Sequence, residues 1–167
     1  MQRGDQIHIS PALPADNVLE PDHAPAGIRA QALAGVLVAL AGIVILLGII
    51  TAEAVYSDVY TTFDNDISDL GATRPPNSII RQPSAHIFNA TMLISGALIL
   101  GAAAFQVGTN PQRCVGIWLG LMGGGEFGVG LFPGNAAPYH GLFALLAFVS
   151  GGVGAVVAVT VTTAPFR

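Results

Sequence analysis

Four stretches of the chain carry almost nothing that water would solvate: residues 32–52, 87–107, 114–132 and 141–161. A helix rises about 1.5 Å per residue, so each run is long enough to cross a hydrocarbon core of ~30 Å. None alternates apolar and polar residues over about ten positions, as the strands of a membrane barrel would. Helices and closed barrels are the structures that satisfy their own backbone in lipid. The pattern therefore predicts an all-α fold, an integral membrane helical bundle of four transmembrane helices occupying residues 30–165. The connections are unequal. Residues 53–86 form one long link, whereas 108–113 and 133–138 are short turns containing Asn110-Pro111 and Pro133-Gly134-Asn135. Short turns set consecutive helices antiparallel and side by side.

Residues 1–29 hold four prolines and four acids with little periodicity, and read as a disordered polar N-terminal tail. Ala52-Glu53-Ala54 matches the small-x-small pattern of a signal cleavage site. A signal core, however, has about 7–15 apolar residues behind a basic start, and this run is longer and follows an acidic tail, so it is read as a retained span. An even number of helices puts both termini on one side. That side holds Arg3, Arg29, Arg113 and Arg167, against Arg74 and Arg81 on the other. Arginine bias predicts a multi-pass protein of the plasma (inner) membrane with both termini cytoplasmic and the 53–86 link extracytoplasmic.

Composition agrees with this class. The chain is 52% hydrophobic and 10% charged, where soluble domains carry about 25% charged residues. Net charge is −4, lysine is absent, and the six arginines are scattered singly, so no basic patch indicates a nucleic-acid partner. The single cysteine, Cys114, closes no intrachain disulfide and reads as a small buried hydrophobe.

Glu126 is the one acid or base inside the four runs. A charge there costs roughly 2.5–3.5 kcal/mol on insertion scales, so it needs a partner or a purpose. Six residues separate it from Phe132, which sets it about 9 Å below the outer boundary. His86 opens the second span at that same outer end, Asn89 follows one turn deeper, and His140 opens the fourth span. The link delivers Asp64, Asn65, Asp66, Ser68 and Asp69 to that side. The candidate cluster is thus Asp66, Asp69, His86, Asn89, Glu126 and His140. Two readings stand. In one, the link folds onto the helix ends and these groups tie it down, with Glu126 protonated or bonded to Asn89. In the other, they line an outward-facing pocket beneath a loop whose length suits a functional role. Buried polar groups must be bonded in either case, which favours the tie.

Two histidines and a carboxylate make a legitimate zinc set, so His86, His140 and Asp69 are weak metal candidates with Glu126 as base. No HExxH-like spacing supports them, and no metal or other cofactor is expected. Ser68, Asp69 and His86 lack a Gly-x-Ser-x-Gly elbow, and no GxGxxG or Walker motif occurs. In the third run Gly116, Gly120, Gly124 and Gly128 recur every fourth residue and predict a groove for close helix packing.

The string Asp66-Ile67-Ser68-Asp69-Leu70-Gly71, then His86-x-Phe88-Asn89 leading into Ser95-Gly96, and later Gly128-x-Gly130-x-Phe132-Pro133 before His140, resembles the membrane family named domain of unknown function 998. The resemblance covers about residues 33–162. It implies a prokaryotic multi-pass membrane protein, distantly similar to eukaryotic Frag1/DRAM/Sfk1-type proteins, with no established enzymatic activity. Family members commonly carry about two further helices after the point where this chain stops. The expectation is a short form that completes its bundle by homo-oligomerising through glycine-rich helix faces, or a truncated product. The expected role is structural, lipid-associated or interactive, with membrane lipids as partners. The alternatives are an outward-facing metal-assisted hydrolase of a lipid-like substrate and a small proton-coupled transporter. The transporter lacks a polar path on the inner side.

Overall fold

The computed structural model describes residues 26–109 and 113–163. The tail before Ala26, Asn110 and Pro111, and the orienting Arg3 and Arg167 lie outside the described residues. Four helices follow one another: α1 over Ala26–Ala54, α2 over Ser84–Thr109, α3 over Arg113–Leu131 and α4 over Tyr139–Thr163. A single 3-10 turn, Ile67–Leu70, interrupts the link. All four helices are long and apolar enough to cross a membrane, and no strand forms among the described residues.

Helix ends differ from the apolar runs in an instructive way. Ala26–Arg29, expected in the tail, forms the first turn of α1, and the link between helices shortens to 55–83. Hydropathy marks the hydrocarbon layer, whereas a helix continues into the interfacial region wherever residues such as Ala and Arg favour it. α2 starts where Ala85 N donates to Arg81 O at 2.8 Å, and α4 where His140 N donates to Ala136 O at 3.1 Å.

Each helix packs on its neighbour in sequence: α1 on α2, α2 on α3, α3 on α4, with no packing of α1 against α4. The array is an open row, not a closed bundle. Along their membrane windows, α2 and α3 are 44% and 39% buried, against 11% and 6% for α1 and α4, so the middle pair holds the structure together.

Seven of the 19 residues of α3 are glycine. Each would cost a helix in water about 1 kcal/mol relative to alanine. In lipid the backbone has no water to bond, so the helix survives and glycine serves close packing instead. Gly96 of α2 meets Gly123 and Phe127 backbone to backbone: a Cβ on Gly96 would lie 2.5 Å from Phe127 N and 2.9 Å from Gly123 O. A Cβ on Gly125 would lie 2.5 Å from Ala147 N of α4.

The four-residue glycine series does not form one groove. Gly116 abuts Val107, Gly120 faces Ala103, Gly128 abuts the Phe143 ring of α4, and Gly124 has nothing within 4 Å. Four residues turn a helix about 400°, so three such steps rotate the face about 120°, from α2 towards α4. The face held against α2 is instead Gly116, Gly123 and Gly130, at seven-residue steps that drift only about 20° each.

The core lies towards the link. Ala52, Leu70, Phe88, Met92 and Val129 pack together, bordered by Ile45, Ile49, Tyr56 and Phe143.

Candidate functional site

Leu70 is the centre of the link side. It belongs to the link, yet it has 0% exposure and sits in the core between α1, α2 and α3. Ser84 Oγ, fully buried at the start of α2, donates to Leu70 O at 3.0 Å. Gly71 N and Ala72 N donate to Ser68 O at 2.9 and 3.2 Å. Neither Gly71 nor Gly134 has room for a side chain. A Cβ on Gly71 would lie 2.8 Å from the Phe88 ring, and one on Gly134 would collide with Ala72 O, so the 133–138 turn presses on the link from above.

The acids of the link are spent on holding it. Asp69 Oδ2 accepts from Asp66 N at 3.0 Å, capping the 3-10 turn. Asp66 Oδ2 pairs with Arg74 at 2.8 Å, and Asp58 Oδ2 with Arg81 at 2.7 Å. Asp64 Oδ2 accepts from Thr61 Oγ1 at 2.8 Å and Asn65 Oδ1 from Thr61 N at 3.2 Å, closing a local turn. Tyr60 Oη donates to Asp66 O at 3.3 Å. Burial pushes the Tyr60 phenol above its usual value, and Glu53, Asp69, Asp66 and Tyr56 add to the same direction.

The remaining candidates fall into separate neighbourhoods. His86 is exposed on the first turn of α2, where its N–H donates to Gln82 Oε1 at 3.4 Å. His140 is buried, and its Nδ1 lies 2.8 Å from Phe132 O. A carbonyl only accepts, so Nδ1 carries the proton. Phe132 in turn stacks on Phe143 at 5.3 Å and 3°. Asn89 lies beneath Gly71: a Cβ on Gly71 would be 2.7 Å from Asn89 Oδ1, a buried oxygen without a hydrogen-bond partner.

Glu126 is 7% exposed, and its partner is Ser95 of α2 rather than Asn89. Ser95 Oγ is in hydrogen-bond contact with Glu126 Oε1 and also lies 2.7 Å from Thr91 O. A hydroxyl has one proton. It is shared between the Glu126 carboxyl and the Thr91 carbonyl, and the latter, inside a helix, also accepts a backbone N–H one turn on. Ser95 thus joins Glu126 of α3 to the Thr91 backbone of α2.

His86, His140 and Asp69 are not assembled as a ligand set: among the described residues no three His, Cys, Asp or Glu side chains are placed to hold a metal ion. Ser95 and Leu70 enter the sequence reading only as part of the family string, without a role, and Ser84 does not enter it. Serine inside a helix bonds its own backbone one turn back, as Ser95 does, and so gives no outward sign of a second partner. Leu70 is one of several apolar residues of the link, with Val59, Phe63, Ile67, Ile79 and Ile80, and only the fold singles it out for burial.

Residues 26–167 match the family described as Protein of unknown function (DUF998). The chain belongs to that family. The match takes in all four helices and the link, so the DUF998 region is the multi-pass membrane unit itself. No curated protein and no solved structure matches this DUF998 chain.

Proposed function

We propose that this DUF998 protein has a structural, lipid-associated or interaction role in the membrane, and that its outward-facing polar cap is a fastening rather than a reaction centre. The observation that carries this reading is the seat of Leu70, with its carbonyl bonded to Ser84 and its side chain closed off from solvent. A loop that lidded a substrate pocket would not fill its own pocket with a core leucine. The polar groups point the same way. Asp58, Asp66, Asp69, Glu126 and His140 each have a partner within the protein, which is what a tie requires and a waiting catalytic group does not.

Metal content and stability of the purified protein test this together. The expected result is no stoichiometric metal and a Ser84→Ala variant that unfolds more easily by about 1–2 kcal/mol. Stoichiometric zinc that disappears in His86→Ala and His140→Ala variants would replace the reading with the metal-assisted hydrolase.

A further inference from the structure

The link seals Leu70 in the core but leaves other apolar side chains outside. Phe63 is 95% exposed and Val59 85%, and Ile79 and Ile80 are also exposed. The turn that carries Phe63 does not require it. That turn is closed by Asp64 N and Asn65 N donating to Thr61 O, and by the side chains of Thr61, Asp64 and Asn65. In water a polar residue would serve at 63 equally well. Single exposed apolar residues are ordinary, but these are gathered. The Asp58–Arg81 ion pair, at 2.7 Å, ties the two arms of the link together and sets Val59 beside it on one arm and Ile80 on the other. Apolar patches rimmed by polar groups mark contact with a membrane or a protein.

Depth favours the membrane. α3 has 19 residues, about 28 Å, so it just spans the hydrocarbon and Leu131 marks the boundary on the link side. Val129, two residues inside that boundary, packs with Ala52 and Leu70, and Tyr56 and Tyr60 pack against the same cluster. The two tyrosine rings stand 5.6 Å apart at this level. Tyrosine is enriched where hydrocarbon gives way to headgroups. Val59 adjoins Tyr60, and the turn back to Thr61 O keeps Phe63 close to it, so both belong to the level of the headgroups. The exposed face of α1, with Leu46, Leu47, Ile50 and Val55, leads up to the same point.

Charge selects among lipids. The link holds Asp58, Asp64, Asp66 and Asp69 against Arg74 and Arg81, which leaves it at −2. Anionic headgroups repel an acidic segment, so a zwitterionic surface suits it better. We propose that Val59 and Phe63 anchor the link in the zwitterionic headgroup layer of the leaflet on its own side. The anchor deepens the lipid-associated reading and rests on the link being fastened through Leu70.

Trp118 is the chain's single tryptophan, so Trp118→Phe gives a silent background in which Phe63→Trp reports on the link alone. Val59→Trp, at the other exposed position, serves if the first reporter fails to fold. The protein is placed in phosphatidylcholine nanodiscs whose acyl chains carry bromine either near the glycerol or near the chain ends, and acrylamide is added from the water. Shallow bromine is expected to quench the reporter strongly and deep bromine weakly. Acrylamide should lose most of the effect it has on free N-acetyltryptophanamide. Shallow-brominated phosphatidylglycerol should quench no better than the phosphatidylcholine, and a preference for it would overturn the assignment to zwitterionic lipid. Acrylamide quenching as strong as that of the free compound would overturn the anchor. If the amides of Gly71 and Ala72 then still exchange slowly, the fastening stands without it, and if they exchange as an open loop both fall. A reporter shielded from bromine and acrylamide alike would overturn the anchor in favour of a second copy covering the patch.

Discussion

Ser95 Oγ carries one proton and has both Glu126 Oε1 and Thr91 O in reach. The hydroxyl ties the buried Glu126 carboxyl of α3 to α2. Glutamine offers the same shape and keeps an oxygen that accepts from the Ser95 hydroxyl. Glu126→Gln is therefore expected to unfold within about 1 kcal/mol of the parent, whereas Ser95→Ala, which strands the buried carboxyl, should cost about 1–3 kcal/mol. Thermal unfolding in a fixed detergent or nanodisc checks both. A Glu126→Gln variant as damaged as Ser95→Ala would mean that the carboxyl is needed as a charge. Glu126 itself is legible from sequence, because one acid in four apolar runs stands out. Its partner is not, because any of the polar residues on the other three helices satisfies the same pattern.

Among the elements, α3 separates glycines that matter from those that do not. Gly123→Ala would put a Cβ 2.9 Å from Leu100 N, against backbone that cannot swing aside, and the cost expected is about 1–3 kcal/mol. Gly124→Ala meets nothing within 4 Å and should be neutral or stabilising by up to about 1 kcal/mol. Unfolding midpoints of the two variants, one residue apart, test whether the seven-residue face is the packing face. The spans themselves are legible because length and hydropathy alone define them. The packing face is not, since a four-residue repeat looks continuous in sequence but winds around the helix. The link makes a different prediction. Tyr60 is raised above its usual value of about 10 by burial and then by the surrounding acids. The folded state holds that proton more tightly than the unfolded chain does. Its contribution is thus complete below about pH 10 and is lost as pH rises through the folded value. Tyr60→Phe should flatten the alkaline arm of the stability–pH profile, and an unchanged arm would count against the burial of this phenol.

At the scale of the whole molecule, the two ends of the row differ in kind. The link end is closed by Leu70, Phe88, Met92 and Val129, and the other end is open between α1 and α4. We propose from the arginine bias that the open end faces the cytoplasm; a reporter fused after Arg167 is then expected to read cytoplasmic, and an extracytoplasmic reading would reverse the orientation. That closed and open halves alternate along one set of helices is invisible in hydropathy, which is high in both. It follows from where the 55–83 link returns to the bundle, and that depends on one leucine. The account rests on this link being fastened, and hydrogen exchange reads the fastening directly. In the protein held in nanodiscs, the amides of Gly71 and Ala72, bonded to Ser68 O beside the buried Leu70, should exchange about as slowly as those at the neighbouring helix ends, and faster in Ser84→Ala. Exchange of the parent's Gly71 and Ala72 at the rate of an open loop would contradict the account, and would make the link a mobile lid.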